Sequence, residues 1–271
     1  MKIANAFLTF ILFLISAQYA EASYIRLETT ISSEALNATL KGSVTTRNIG
    51  NEPAYNLQLV TTFLNETLEN GIKDVLVPNK KYLLNYSFDL DKINNGTYPL
   101  IVKAHYKDSN GYKFSTVSLN SVIVGKSFAS ELVGKVSDIR LSKESFLIAK
   151  VRNSDKDKHT VKATLVLPQE ISSEKTIEIF TLSSNEEKEL KFKIKNFSAL
   201  KDSSYAVYIL LEYDKGLKHI TDYLNTNVII VDSENYSKLD KLSLFLMISL
   251  VLLLALFFYK SKDDIKKILS M

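Results

Sequence analysis

The sequence predicts an all-β chain, with two tandem β-sandwiches followed by one C-terminal transmembrane helix. Three observations predict it. Between residues 23 and 240, apolar residues recur with a period of two in short runs separated by turn-forming clusters, the pattern of half-buried strands. That pattern occurs twice, at an offset of about 106 residues, which points to a duplicated unit. Near the end, the run from Leu242 to Tyr259 carries no charge.

Residues 1–22 read as a secretory signal peptide. Lys2 precedes an apolar run from Ala6 to Ile15, which is short for a membrane span, and Ala20-Glu21-Ala22 supplies a small-x-small cleavage pattern. Residues 23–125 form the first sandwich. "LKGSV" sets Leu40 and Val44 on one face, and "LQLVTTF" aligns Leu57, Leu59 and Phe63. "YLLNYSFDL" aligns Tyr82, Leu84, Tyr86, Phe88 and Leu90. "YKDSNGYKF" reads as a hairpin, because Asn110-Gly111 adopts positive φ at low cost. Residues 126–231 form the second sandwich, with "KELKFKIK" directing Leu190, Phe192 and Ile194 inward and Lys191, Lys193 and Lys195 outward. The two copies align when Arg47-Asn48 is set on Arg152-Asn153 and Tyr106 on Tyr213. Stacked end to end, two such sandwiches would reach roughly 70–80 Å, taking strands of some 20–30 Å plus loops for each.

A juxtamembrane linker, 232–241, leads to the helix 242–259, which at 1.5 Å per residue covers roughly 27 Å of hydrocarbon. It holds no charge and no small-xxx-small pair, so it reads as an anchor. The tail 260–271 carries Lys260, Lys262, Lys266 and Lys267, and this excess sets the tail in the cytoplasm and both sandwiches outside the cell membrane.

The formal charge of +4 does not signal nucleic acid. Six of the 34 basic and three of the 30 acidic residues lie outside 23–240, which leaves the sandwich region nearly balanced. The absence of cysteine removes thiol chemistry, disulfides and Cys-based zinc sites, so each sandwich must be held by its own core.

"VTTRNIGNEPAYNLQLVTTF" followed by "GTYPLIVKAHYKDSNGYKFS" resembles the Ig-like repeats of prokaryotic envelope proteins of the NEW3, CARDB and S-layer-domain type. The resemblance rests on Asn48, Gly50, Ala54, Leu57, Gly96, Thr97 and Tyr98 and covers most of the first copy. The second copy departs from it, since "NSDKDKHT" lacks the Gly and "SSYAV" lacks Gly-Thr. The resemblance implies two Ig-like domains and says little about activity. In "RNIGNEP", Gly50 is expected to reverse the chain with positive φ, Glu52 and Pro53 to stop strand pairing, and Ala54 to fit a crowded corner.

No catalytic, cofactor or metal residue is indicated. His105, His159 and His219 are not spaced as a ligand pair and read as isolated surface or strand histidines. Asp89, Asp91, Asn94 and Asn95 approach a calcium loop, but Ile93 stands where an EF-hand needs oxygen, and an ordinary capped turn is expected. Phosphate-loop, dinucleotide and Gly-x-Ser-x-Gly signatures are missing. Lys188, Lys191, Lys193 and Lys195 read as a solvated face that discourages edge pairing, or as a patch for an anionic glycan, lipid headgroup or acidic partner. Asn37, Asn65, Asn85, Asn95, Asn196 and Asn235 are glycosylation acceptors in a cell with that machinery, and Asn85 should project outward.

The reading that follows is a non-enzymatic single-pass membrane protein that displays two domains for binding or scaffolding in the cell envelope. Its partners would be the bilayer, through one helix, and an envelope protein or glycan. The alternatives are an accessory subunit of a membrane transport or secretion complex, and a carbohydrate-binding module.

Overall fold

The computed structural model describes residues 23–36 and 38–232, together with Phe245 and Ile248. The predicted signal peptide, the tail lysines and most of the predicted span lie outside the described residues. Phe245 and Ile248 are helical. Among the described residues no helix is long and apolar enough to cross a membrane.

The described chain is all-β. Its first half runs β1 (Leu27–Leu36), β2 (Thr39–Asn48), β3 (Ala54–Phe63), β4 (Glu66–Glu69), β5 (Lys73–Leu76), β6 (Lys81–Asp89), β7 (Gly96–Lys107) and β8 (Lys113–Val124). Its second half runs β9 (Leu132–Val136), β10 (Ile139–Leu141), β11 (Glu144–Asn153), β12 (His159–Val166), β13 (Ile171–Ser173), β14 (Ile177–Leu182), β15 (Glu187–Asn196), β16 (Ser204–Lys215) and β17 (Lys218–Ile230).

Each half is two-layered. In the first, the sheet β1-β2-β6 faces the sheet built on β3, β7 and β8; in the second, β13-β15-β11-β9 faces β14-β12-β16-β17. The alternation read from the sequence sets the inward faces. Leu40, Val44, Leu57, Leu59, Phe63 and Phe88 fill one core, and Leu147, Leu190, Phe192 and Ile194 anchor the other. Each such side chain stabilises the fold by about 1.5–3 kcal/mol relative to exposure. The first cluster spans Ile25 to Val124 and the second Phe128 to Ile230, so the apolar residues divide where the sequence repeats.

The repeat is visible in hydrogen bonds as well as cores. Asn48 and Asn153 are both fully buried. Asn48 Nδ2 donates to the carbonyls of Glu52 (2.7 Å) and Leu76 (3.0 Å), while its Oδ1 accepts from the Gly50 N–H. Asn153 Nδ2 donates to the carbonyls of Asp157, Leu182 and Ser183, while its Oδ1 accepts from the Asp155 N–H. The Asn79 and Asn185 N–H groups, both in residues of positive φ, donate to the carbonyls of these two asparagines. One side chain therefore ties together three chain segments that would otherwise leave buried carbonyls unpaired, and does so twice.

The expected role of Gly50 is corrected. It is not among the residues of positive φ. It is required because a Cβ would run into the Tyr24 carbonyl and lie 2.7 Å from the Arg26 nitrogen. The turn is shaped by Asn48, and glycine lets the chain before β1 cross close above it. In the hairpin between β7 and β8, Gly111 does take positive φ, and Asp108 Oδ1 accepts from the Asn110 and Tyr112 N–H groups.

The end-to-end arrangement is corrected too. β17 and β7 run parallel where His219 faces Gly96, joining both halves into one ten-stranded sheet. By the repeat, β7 corresponds to β16, which is antiparallel to β17. The halves thus lie side by side with opposite polarity. The outward face of β8 packs on that of β12 and β16, burying Val117, Val166 and Leu210 with Ile101, Leu119 and Tyr208 around them. Two hydrophobic faces that a single sandwich would leave wet cover one another.

Candidate functional site at the junction of the halves

The junction has polar contacts at both ends of its apolar strip. Near the β7–β8 hairpin, Glu170 follows β12 and is fully buried against Ser115 on β8. One carboxylate oxygen accepts from the Ser115 N–H and the other from its hydroxyl, at 2.8 Å. Ser115 Oγ also accepts from the Gln169 N–H at 2.8 Å. Burial raises the Glu170 pKa, and the bonds from Ser115 oppose that shift. His105 is the cross-strand partner of Ser115, and burial lowers its pKa. This sets a serine, a histidine and a glutamate in one neighbourhood. The Ser115 hydroxyl donates to the carboxylate and accepts from the Gln169 N–H, so these groups tie β8 to the segment after β12.

At the other end, the His219 ring stacks on Tyr98 at 4.5 Å between centroids. Its Nδ1 lies 2.8 Å from Asp214 Oδ1, and its Nε2 lies 3.2 Å from the Thr221 hydroxyl and 3.7 Å from Glu212. Burial works against the charged ring, but the bonds to Glu212 and Asp214 outweigh it and the pKa is raised. His219 is a docking group of the second half against the first.

A third cluster sits at the Asn153 corner. His159 opens β12, is buried, and holds Asp155 at 2.6 Å through Nε2. Lys215 Nζ lies 2.5 Å from Asp155 and 3.3 Å from Glu131, and the Tyr213 hydroxyl accepts from the Glu131 N–H. The Lys215 ammonium beside Asp155 holds its carboxyl far below the usual range and is itself raised in return. Glu131, Asp155 and His159 are the one group among the described residues whose donor atoms could converge on a metal. Lys215 already supplies the cation between both carboxylates, so the arrangement reads as a closed charge network.

Between the halves, at the end holding the β7–β8 hairpin, lies a cleft of about 1110 Å³. Tyr24, Asp108, Asn110, Ser115, Tyr205 and Asn227 are among its lining residues. Its walls mix hydroxyl and amide groups with a larger apolar share from side chains such as Phe114, Val117 and Leu200, a composition common to ligand clefts.

The isolated-histidine expectation is therefore corrected. His159 and His219 are each paired with carboxylates, and His105 sits in the junction. The signal for the first was the Asp155-x-x-x-His159 spacing; the other two depend on contacts between strands of different halves. Among the sequons, Asn65, Asn85 and Asn95 are exposed. Asn196 is half-buried, with its amide donating to the Ala199 carbonyl and accepting from the Ala199 N–H. Asn37, Asn235, Lys260, Lys262, Lys266 and Lys267 lie outside the described residues. The stripe lysines each meet a carboxylate: Lys188 pairs with Glu178, Lys191 with Glu189, Lys193 with Glu144 and Lys195 with Glu174. The Asp89–Asn95 loop is a capped turn in which Asp89 accepts from the Asp91 N–H.

No family model matches the sequence, and no curated protein matches it. Among solved structures, a mutant Salmonella alpha-2-macroglobulin aligns with 79% of this chain at 8% identity and a TM-score of 0.33. A trypsin-activated alpha-2-macroglobulin from Escherichia coli aligns with 76% at 8% identity and 0.31, and red sea bream transglutaminase with 81% at 11% identity and 0.26. The chain spans 17%, 18% and 33% of those proteins, respectively. What this chain does has to be argued from its own geometry.

Proposed function

We propose that the chain is a non-enzymatic, single-pass membrane protein that displays two tandem Ig-like domains outside the cell membrane, for binding or scaffolding in the cell envelope. Export by residues 1–22, the span 242–259 and the inward tail remain sequence readings within this proposal. The observation that carries the binding role is the junction. Two sandwiches are joined by the Ser115–Glu170 and His219–Tyr98 contacts, and a cleft of mixed polar and apolar lining lies between them. A cleft set between two joined domains supports a recognition role.

The accessory-subunit reading draws on one feature, exposed Phe197 and Leu200 beside the point where the chain leaves β17. The carbohydrate-module reading draws less. Of the exposed tyrosines, Tyr223 lies on β17 while Tyr24 and Tyr112 lie in the segments before β1 and β8, so no one sheet face carries all three.

A tag inserted at Gly71, where nothing approaches the backbone, and a second tag after Met271 test the topology. The first should be reached by antibody on intact cells and the second only after permeabilisation. Both tags hidden, or the reverse pattern, would overturn the proposal.

A further inference from the structure

We propose that the end of the molecule from which the chain leaves β17 rests on the surface of the bilayer, with Tyr24, Tyr112, Phe197 and Leu200 in the headgroup layer. This rests on the membrane-anchored reading above. Because the halves lie side by side with opposite polarity, three distant segments meet at this end. The loop 197–203 adjoins Ile230 through bonds from the Asp202 N–H to the Ile230 carbonyl and from the Ile230 N–H to the Ser203 carbonyl. The β7–β8 hairpin and the segment at Tyr24 line the same cleft as Leu200 and Asp202, so in this orientation the binding cleft lies beside the headgroups and would take a partner presented at the membrane surface.

Each of these elements presents an apolar or aromatic side chain to solvent: Tyr24 is 52% exposed, Tyr112 63%, Phe197 77% and Leu200 48%. Exposed apolar residues scattered singly need no explanation, but here they share one end with the departing chain. Tyrosine suits the headgroup layer, where its ring is apolar and its hydroxyl wet. Among the described residues, the opposite end also exposes large apolar side chains, Leu36, Leu64, Ile123, Val133 and Leu217, but all are aliphatic. The tether supports the same polarity. Residues 233–241 separate the end of the described β-region from Leu242, a reach of roughly 30 Å when fully extended.

The sequons add an independent argument. Exposed Asn65 and Asn95 lie at the end away from the departing chain, in the turns after β3 and before β7, and exposed Asn85 lies midway along β6. At the near end, Asn196 keeps its amide engaged with Ala199. Among the described residues the exposed sequons therefore lie away from the end that would meet lipid, and the one at that end is half-buried; Asn235, in the tether, lies outside the described residues.

The chain has no tryptophan, so one introduced residue reports alone. Full-length Phe197→Trp, Leu217→Trp and Phe245→Trp proteins would be reconstituted in vesicles with and without brominated lipid. The expected result is bromine quenching of Phe197→Trp and Phe245→Trp and none of Leu217→Trp. Quenching of Phe245→Trp alone would leave the anchor standing and overturn the surface contact. A blue-shifted but unquenched Phe197→Trp would put a second copy against that end and overturn it equally. Failure of Phe245→Trp to quench would overturn the anchor itself.

Discussion

The two asparagine corners use one device in two settings. At Asn48 the residue two positions on is Gly50, and the space beside it is taken by the backbone at Tyr24 and Arg26. At Asn153 the same position is Asp155, and the corresponding space holds His159, Lys215 and Glu131. The asparagine closes the corner by the same bonds either way. What differs is what the corner presses against: a strand lead-in at the first, a charge network at the second. Across the two corners the side chain that satisfies buried carbonyls is the same, while its neighbour follows the local partner.

The largest effect should come from removing the shared device. Asn48→Ala or Asn153→Ala leaves several buried backbone groups unpaired, each costing about 1–3 kcal/mol. Urea unfolding should show a loss of more than one such unit for either variant; near-neutral behaviour at one corner would break the equivalence. Next is the residue that differs. Gly50→Ala should cost about 1–3 kcal/mol through overpacking against the Tyr24 carbonyl. A first half that tolerates it would show that the lead-in can move aside.

pH should separate the corner from the junction. The Asp155 pKa is lowered, so its contribution is present above its ordinary value of 3.8 and lost as pH falls through the still lower folded value. Those of His219 and Glu170 are raised, so their contributions are complete below the ordinary values of 6.5 and 4.5 and fade as pH rises through the folded ones. Stability should therefore decline as pH rises above 4.5 through Glu170 and above 6.5 through His219, and His219→Gln should flatten the second part of that slope. An unchanged slope in the variant would remove His219 from the account. Smaller still, Tyr98→Leu should cost about 0.5–1.5 kcal/mol for the lost stacking. Lys191→Ala, on the exposed stripe, should stay within about 0.5 kcal/mol.

Period-two alternation made the cores legible, because Leu190, Phe192 and Ile194 can face inward together only on a strand. The repeat was legible for a related reason: a buried asparagine with fixed backbone partners at both corners leaves a shared Arg-Asn in the sequence. The reason for Gly50 was not legible, since the crowding comes from a segment some two dozen residues earlier. The junction was hidden in the same way. Ser115 and Glu170 look ordinary until two strands of different halves bring them together, and no local periodicity encodes that meeting. The candidate cleft, formed between halves, was therefore beyond local pattern, while the exposure of Asn85 was not.

The face of β7 and β8 that docks on the second half has a consequence in time. A chain made from its N-terminus completes the Asn48 corner and the first core before β12 and β16 exist. During that interval Ile101, Val117 and Leu119 would stand uncovered on a sheet whose neighbouring strand has yet to be synthesised. Lys103 and His105, interleaved on the same face of β7, put charge and polarity where a stray strand or another nascent chain would otherwise adhere. Burial later lowers the pKa of both groups, so the side chains that would keep the unfinished sheet polar become charges the finished junction disfavours.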